Sequence, residues 1–93
     1  MLEKVKLALQ ITTNAFDSEL TNFIDSAIKD LNIAGATTIS TTDSYCIDAI
    51  IKYCIWQWEL LHGALNRAEA LKECYEMQKA SMGMTTEYTN YDN

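Results

Sequence analysis

Between Phe16 and Leu31 the apolar residues Phe16, Leu20, Phe23, Ile24, Ala27, Ile28 and Leu31 recur at steps of three and four. That spacing gathers side chains on one face of an α-helix. Asp17, Glu19, Asp25, Lys29 and Asp30 fill the positions between them, so the pattern predicts an amphipathic helix with a charged outer face. Asn14 and Asp17 resemble a capping arrangement, and acids in the first turn suit the helix dipole. Gly35 stands where a left-handed C-terminal stop belongs. Upstream, Leu2, Val5 and Leu9 share a face over Leu2–Gln10, which predicts a short helix. Thr12, Thr13 and Asn14 then break the pattern and offer N-cap side chains.

The segment from Asp43 to His62 is apolar around most of a helical circumference. Ile47, Ile50, Ile51, Cys54, Trp58 and Leu61 form one stripe, and Tyr45, Ala49, Tyr53, Trp56 and Leu60 a second. Its isoleucines admit a strand, but its length decides for a helix. A helix apolar on two sides is the central one of a bundle, packed from both flanks. Gly63 ends it. A fourth helix is predicted from about Arg67 to Met82, with Asn66 as cap and Glu69 as its box partner. Ala68, Leu71, Tyr75 and Met82 face inward, with Ala70, Cys74 and Met77 alongside, and Gly83 is the stop. Residues 36–42 read as a loop ending in a threonine N-cap before Asp43, with a short strand as the alternative. The expected fold is therefore all-α: a small bundle of three to four helices around a central apolar helix. It forms one domain over residues 1–83, followed by a flexible tail at 84–93 that has two tyrosines and no packing period.

Composition supports this picture. Proline is absent and only 3 of the 93 residues are glycine, which permits long helices and starves an all-β fold of turns. No run of 18 apolar residues occurs, so no membrane span is expected, and the amphipathic start lacks the apolar core of a signal peptide. A net charge of −6, from 13 acidic and 7 basic residues, argues against duplex DNA binding, which needs clustered cations to neutralise phosphates. The fourth helix balances Arg67, Lys72 and Lys79 against Glu69, Glu73 and Glu76, unlike a basic recognition helix.

Candidate chemistry is sparse. The one histidine, His62, has no companions for a zinc site and reads as a helix C-terminal residue bonded to a free carbonyl. Cys46, Cys54 and Cys74 read as small buried hydrophobes. No nucleophile–base constellation and no phosphate-cradling glycine loop is present. Asp17 and Glu19 read as a solvated helix face. The chain is expected to be no enzyme and to hold no cofactor or metal. Trp56 and Trp58 are two residues apart and cannot face one line of the core; they read as two sides of one monomer core, with a place for one of them at an exposed edge suited to partner contact as the alternative.

The quoted elements resemble the head–tail connector family of tailed bacteriophages. The likeness rests on the short first helix with Leu2, Val5 and Leu9, and on D-S-E-L at Asp17–Leu20 and I-D-S-A at Ile24–Ala27. It continues through A-I-I-K-Y at Ala49–Tyr53 and R-A-E-A-L at Arg67–Leu71, followed by Tyr75. It spans roughly residues 2–82. Where family members often carry proline at the start of the long helix, this chain has Ser44. The resemblance implies a structural virion protein that forms a homo-oligomeric ring beneath the portal protein. It would contact portal and tail-completion proteins, in the virion and in the host cytoplasm during assembly. DNA would pass without being read by sequence. Thr37, Thr38, Ile39, Trp56, Tyr88 and Tyr91 are the candidate protein-interface residues. A small helical regulator or adaptor, with or without an association with DNA, is the alternative.

Overall fold

Four helices follow one another in the computed structural model, which describes residues 1–36, 39, 43–63 and 65–84. They are α1 (Leu2–Leu9), α2 (Asp17–Ile33), α3 (Ser44–His62) and α4 (Leu65–Gly83). The expected all-helical fold is found, with no strand among the described residues. Residues 37, 38, 40–42, 64 and 85–93 lie outside the described set, and with them most of the 36–42 segment of the strand alternative and of the 84–93 tail.

The 3.6-residue period of α2 does what it predicts: Leu20, Ile24, Ala27 and Leu31 are buried on one face. The central position of α3 is equally clear, since it packs on α1, α2 and α4. Its Cys46, Ala49, Ile50 and Cys54 are fully buried. Leu20, Leu31 and Ile50 each contribute about 1.5–3 kcal/mol by leaving water. The two stripes do not run to the helix ends, because Tyr45, Leu60 and Leu61 are exposed. On α4 the inward line is Ala68, Tyr75 and Met82, one residue every seven. Ala70 and Cys74 are exposed instead of lying alongside it.

Helix ends hold the corrections. Phe16 precedes α2 and makes no side-chain cap bond; the Asn14 carboxamide oxygen accepts from Lys6 Nζ at 2.9 Å instead. Asp43 itself is the N-cap of α3, its carboxylate accepting from the Cys46 N–H at 3.0 Å. Because α4 begins at Leu65, Asn66 lies inside its first turn and cannot be its cap. Gly35 behaves as expected: at φ 106° it lets its own N–H reach the Asn32 carbonyl and the Ala36 N–H reach Leu31, a Schellman closure. Helix α1 closes the same way on a residue that is not glycine, Gln10 at φ 59°. The Gln10 and Ile11 N–H groups donate to Leu7 and Lys6. Gly83 is the last residue of α4. A β-carbon there would sit 2.6 Å from the Ala34 carbonyl oxygen, so the glycine is needed for close approach of α4 to the end of α2.

Candidate protein interface

Three polar clusters tie the helices together and set which surface is left over. Lys6 is nearly buried in the face of α1 and pairs with Asp17 at 2.9 Å. With Asn14 it fastens α1 to the start of α2. Nothing in the apolar spacing signals this, because Lys6 follows Val5 on the same turn. The second cluster joins α2, α3 and α4. The fully buried Tyr75 donates its hydroxyl to Asp30 at 2.7 Å, and Lys79 reaches the same carboxylate oxygen at 3.1 Å while also bonding Glu76 at 3.0 Å. Burial, then the Asp30 carboxylate, pushes the Tyr75 phenol far above its usual range. The same two causes raise Tyr53, which also bonds Ser26. Burial tends to lower Lys79, but its bonds to Glu76 and Asp30 outweigh that and hold it above the usual ammonium range.

The third cluster corrects the reading of His62. Its Nε2 meets Glu19 Oε2 at 2.9 Å, and its ring lies 4.2 Å from that of Trp58 and 6.0 Å from Phe16. It therefore ties the end of α3 to the start of α2 instead of bonding a free carbonyl. Among the described residues no three His, Cys, Asp or Glu side chains gather to hold a metal. Nor, among the described residues, is any helix long and apolar enough to cross a membrane.

The two tryptophans divide as their spacing requires. Trp58 packs edge-on against Phe16 at 5.1 Å. Trp56 meets Tyr53 at 5.3 Å and Tyr75 at 6.0 Å. Both are half-buried and pack against the core. Ile39 is likewise half-buried against the core. Trp56 lies twelve residues into α3, roughly 18 Å along the helix from Ser44. Thr37, Thr38, Tyr88 and Tyr91 lie outside the described residues.

The thiols also separate. Cys46 and Cys54 are buried, whereas Cys74 is exposed, which corrects the expectation that all three are core residues. Burial pushes the Cys54 thiol up to about 12. Cys74 lines a groove of about 390 Å³ between α3 and α4 with Tyr45, Lys52, Met77, Gln78 and Ser81, whose exposed lining is mostly apolar. On its rim Asp48 pairs with Lys52 and accepts from Gln78. Burial tends to raise the Asp48 carboxyl, but those bonds outweigh it and hold it below the usual range. A more polar hollow of about 260 Å³ lies where Leu9 and Gln10 face Trp58, Glu59 and Arg67. The groove was missed in the sequence because Met77 was grouped with the core. At about 100° per residue it lies some 200° beyond Tyr75, on the opposite side of α4.

Buried polar ties and partly uncovered apolar surface characterise a small bundle of four helices among the described residues. The model of the phage connector protein family matches residues 1–89 of the chain, and the chain belongs to that family. It is thus a connector-type structural protein of a phage particle. No curated protein and no solved structure matches it significantly.

Proposed function

We propose that the chain is a subunit of a homo-oligomeric ring that sits on the portal protein and joins the DNA-filled head to the tail. The observation that carries this reading is the family match over residues 1–89. The acidic surface supports it, because a net charge of −6 keeps such a ring from holding DNA by its phosphates during passage. Residues 35–42 and the segment 84–93 are the contact segments of this reading. Thr37, Thr38, Ile39, Tyr88 and Tyr91 meet the portal or tail-completion proteins, and the half-exposed edge of Trp56 adds an aromatic anchor. Assembly takes place in the host cytoplasm, and the chain performs no catalysis.

The test is co-purification of the full chain with its cognate portal protein, followed by electron microscopy of the complex. Added ring density on one end of the portal is expected. Absence of any complex over a wide concentration range would overturn the proposal. A monomeric isolated chain would not, because the portal templates the ring in this reading.

A further inference from the structure

Helix α1 has the thinnest attachment of the four helices. It buries only Val5 and Lys6, against four residues in each of α2 and α3 and three in α4. Leu2 and Leu9 pack against the core only in part. Its last turn does not seat fully on α3, because the hollow of about 260 Å³ lies between Leu9 and Gln10 on one side and Ile55 and Trp58 on the other. It closes on Gln10 at φ 59°, a left-handed backbone that disfavours an L-residue. The chain then passes through exposed positions at Thr12, Thr13, Asn14 and Ala15 before α2 begins at Asp17, so α2 does not grow out of α1. The polar fastening is Lys6, whose nearly buried ammonium reaches Asp17 and Asn14, each at 2.9 Å.

We propose that α1 is a strap that opens as one unit while α2, α3 and α4 stay folded, with Lys6, Asp17 and Asn14 as its latch. Isolated helices shorter than about 12–15 residues are marginal in water, so an eight-residue α1 melts as it undocks. Its backbone bonds, from Val5 on Met1 to Ile11 on Lys6, are therefore lost together. The remaining helices keep joins that do not pass through α1. These are Tyr75 and Lys79 on Asp30, His62 on Glu19, and Gly83 against Ala34. Opening uncovers the side of α3 that carries Ile55 and Trp58. The strap is a property of the free chain and does not depend on the connector reading.

Hydrogen exchange of the full chain, followed residue by residue by NMR in rising sub-denaturing urea, tests this. The amides of residues 5–11 should share one protection factor, at least about a hundredfold below that of the buried centre of α3, and depend only weakly on urea. Gln10→Gly relieves the left-handed closure and should raise the protection of all these amides about threefold. Asp17→Asn leaves a buried ammonium without its counter-charge and should lower it about tenfold. Asn14→Ala, which removes the other acceptor without altering α2, should act in the same direction. In each variant Val5 and Ile11 should move by the same factor. Protection and urea dependence equal to those of α3 would overturn the strap, because α1 would then open only with the whole chain. Protection that climbs steadily from Val5 to Ile11, with the latch variants moving only the residues nearest them, would also overturn it, as simple fraying of a chain end.

Discussion

Replacing Tyr75 by phenylalanine removes one oxygen from the join between α2, α3 and α4 and leaves the ring packing in place. The lost bond is short, 2.7 Å to a carboxylate, and hydrogen bonds to charged groups contribute about 1.5–3 kcal/mol. Two features place this one at or just below the lower bound of that range. Asp30 keeps Lys79 at 3.1 Å, and its side chain is about a third exposed, so water can take the vacated position. The expected loss at pH 7 is therefore about 1–1.5 kcal/mol. With a urea m-value of about 1 kcal/mol/M for a chain of this size, the unfolding midpoint should fall by roughly 1 M. The loss should also shrink in alkali. The folded-state pKa of Tyr75 lies above its unfolded value, so its contribution is complete below pH ~10 and declines above it. The decline approaches about 1.4 kcal/mol per pH unit, because the unfolded chain gives up the proton first. Cys54 has the same sign, rising from 9.0 to about 12, so the native protein should begin to lose stability near pH 9 and lose it faster above 10. Tyr75→Phe should keep the first phase and lose part of the second, drawing the two curves together. Midpoints that agree within about 0.3 M at pH 7, or curves that stay parallel between pH 8 and 11, would refute the assigned role of the hydroxyl.

Gln10 holds a left-handed backbone that costs an L-residue roughly 1–2 kcal/mol. Gln10→Gly should therefore stabilise the chain by about 0.5–1 kcal/mol after the extra freedom of unfolded glycine is discounted; a fall in the urea midpoint would count against the αL closure of α1. Gly83→Ala should destabilise by about 1–3 kcal/mol, because the added carbon meets the Ala34 backbone. Helix propensity alone gives the opposite sign, so the direction of the midpoint shift separates the two explanations. A thiol reagent should modify Cys74 alone in the native protein and all three cysteines in urea, since Cys46 and Cys54 are buried. Rapid native labelling of a second thiol would show that α3 is less tightly enclosed than its packing indicates.

Elements whose signals are local were legible in advance. The faces of α2, the central place of α3 and the left-handed stop at Gly35 each follow from spacing or from one residue's conformational freedom. The neighbours that decide them lie within a turn or two. Caps were less legible: Asn14, the threonine before Asp43, and Asn66 all carry suitable side chains, yet Asn14 bonds Lys6, Asp43 caps α3 and Asn66 lies inside α4. Of the six candidate interface residues, Ile39 and Trp56 could be placed, and both pack against the core. The groove and the exposed end of α3 went unread because Met77, Leu60 and Leu61 share composition with core residues.

The sequence by itself determined that this chain would be an acidic bundle of helices around an apolar third helix. Periodicity and charge are properties of the linear order. Only the tertiary structure decided that Lys6 is buried against Asp17 and that Tyr75 and Lys79 converge on Asp30. The same holds for the ring of His62 closing on Glu19 and for Cys74 facing solvent. These depend on which helix lies across which, at separations of 11 to 49 residues along the chain. A one-dimensional pattern can place a residue on a face, but it cannot say whether a neighbour covers that face.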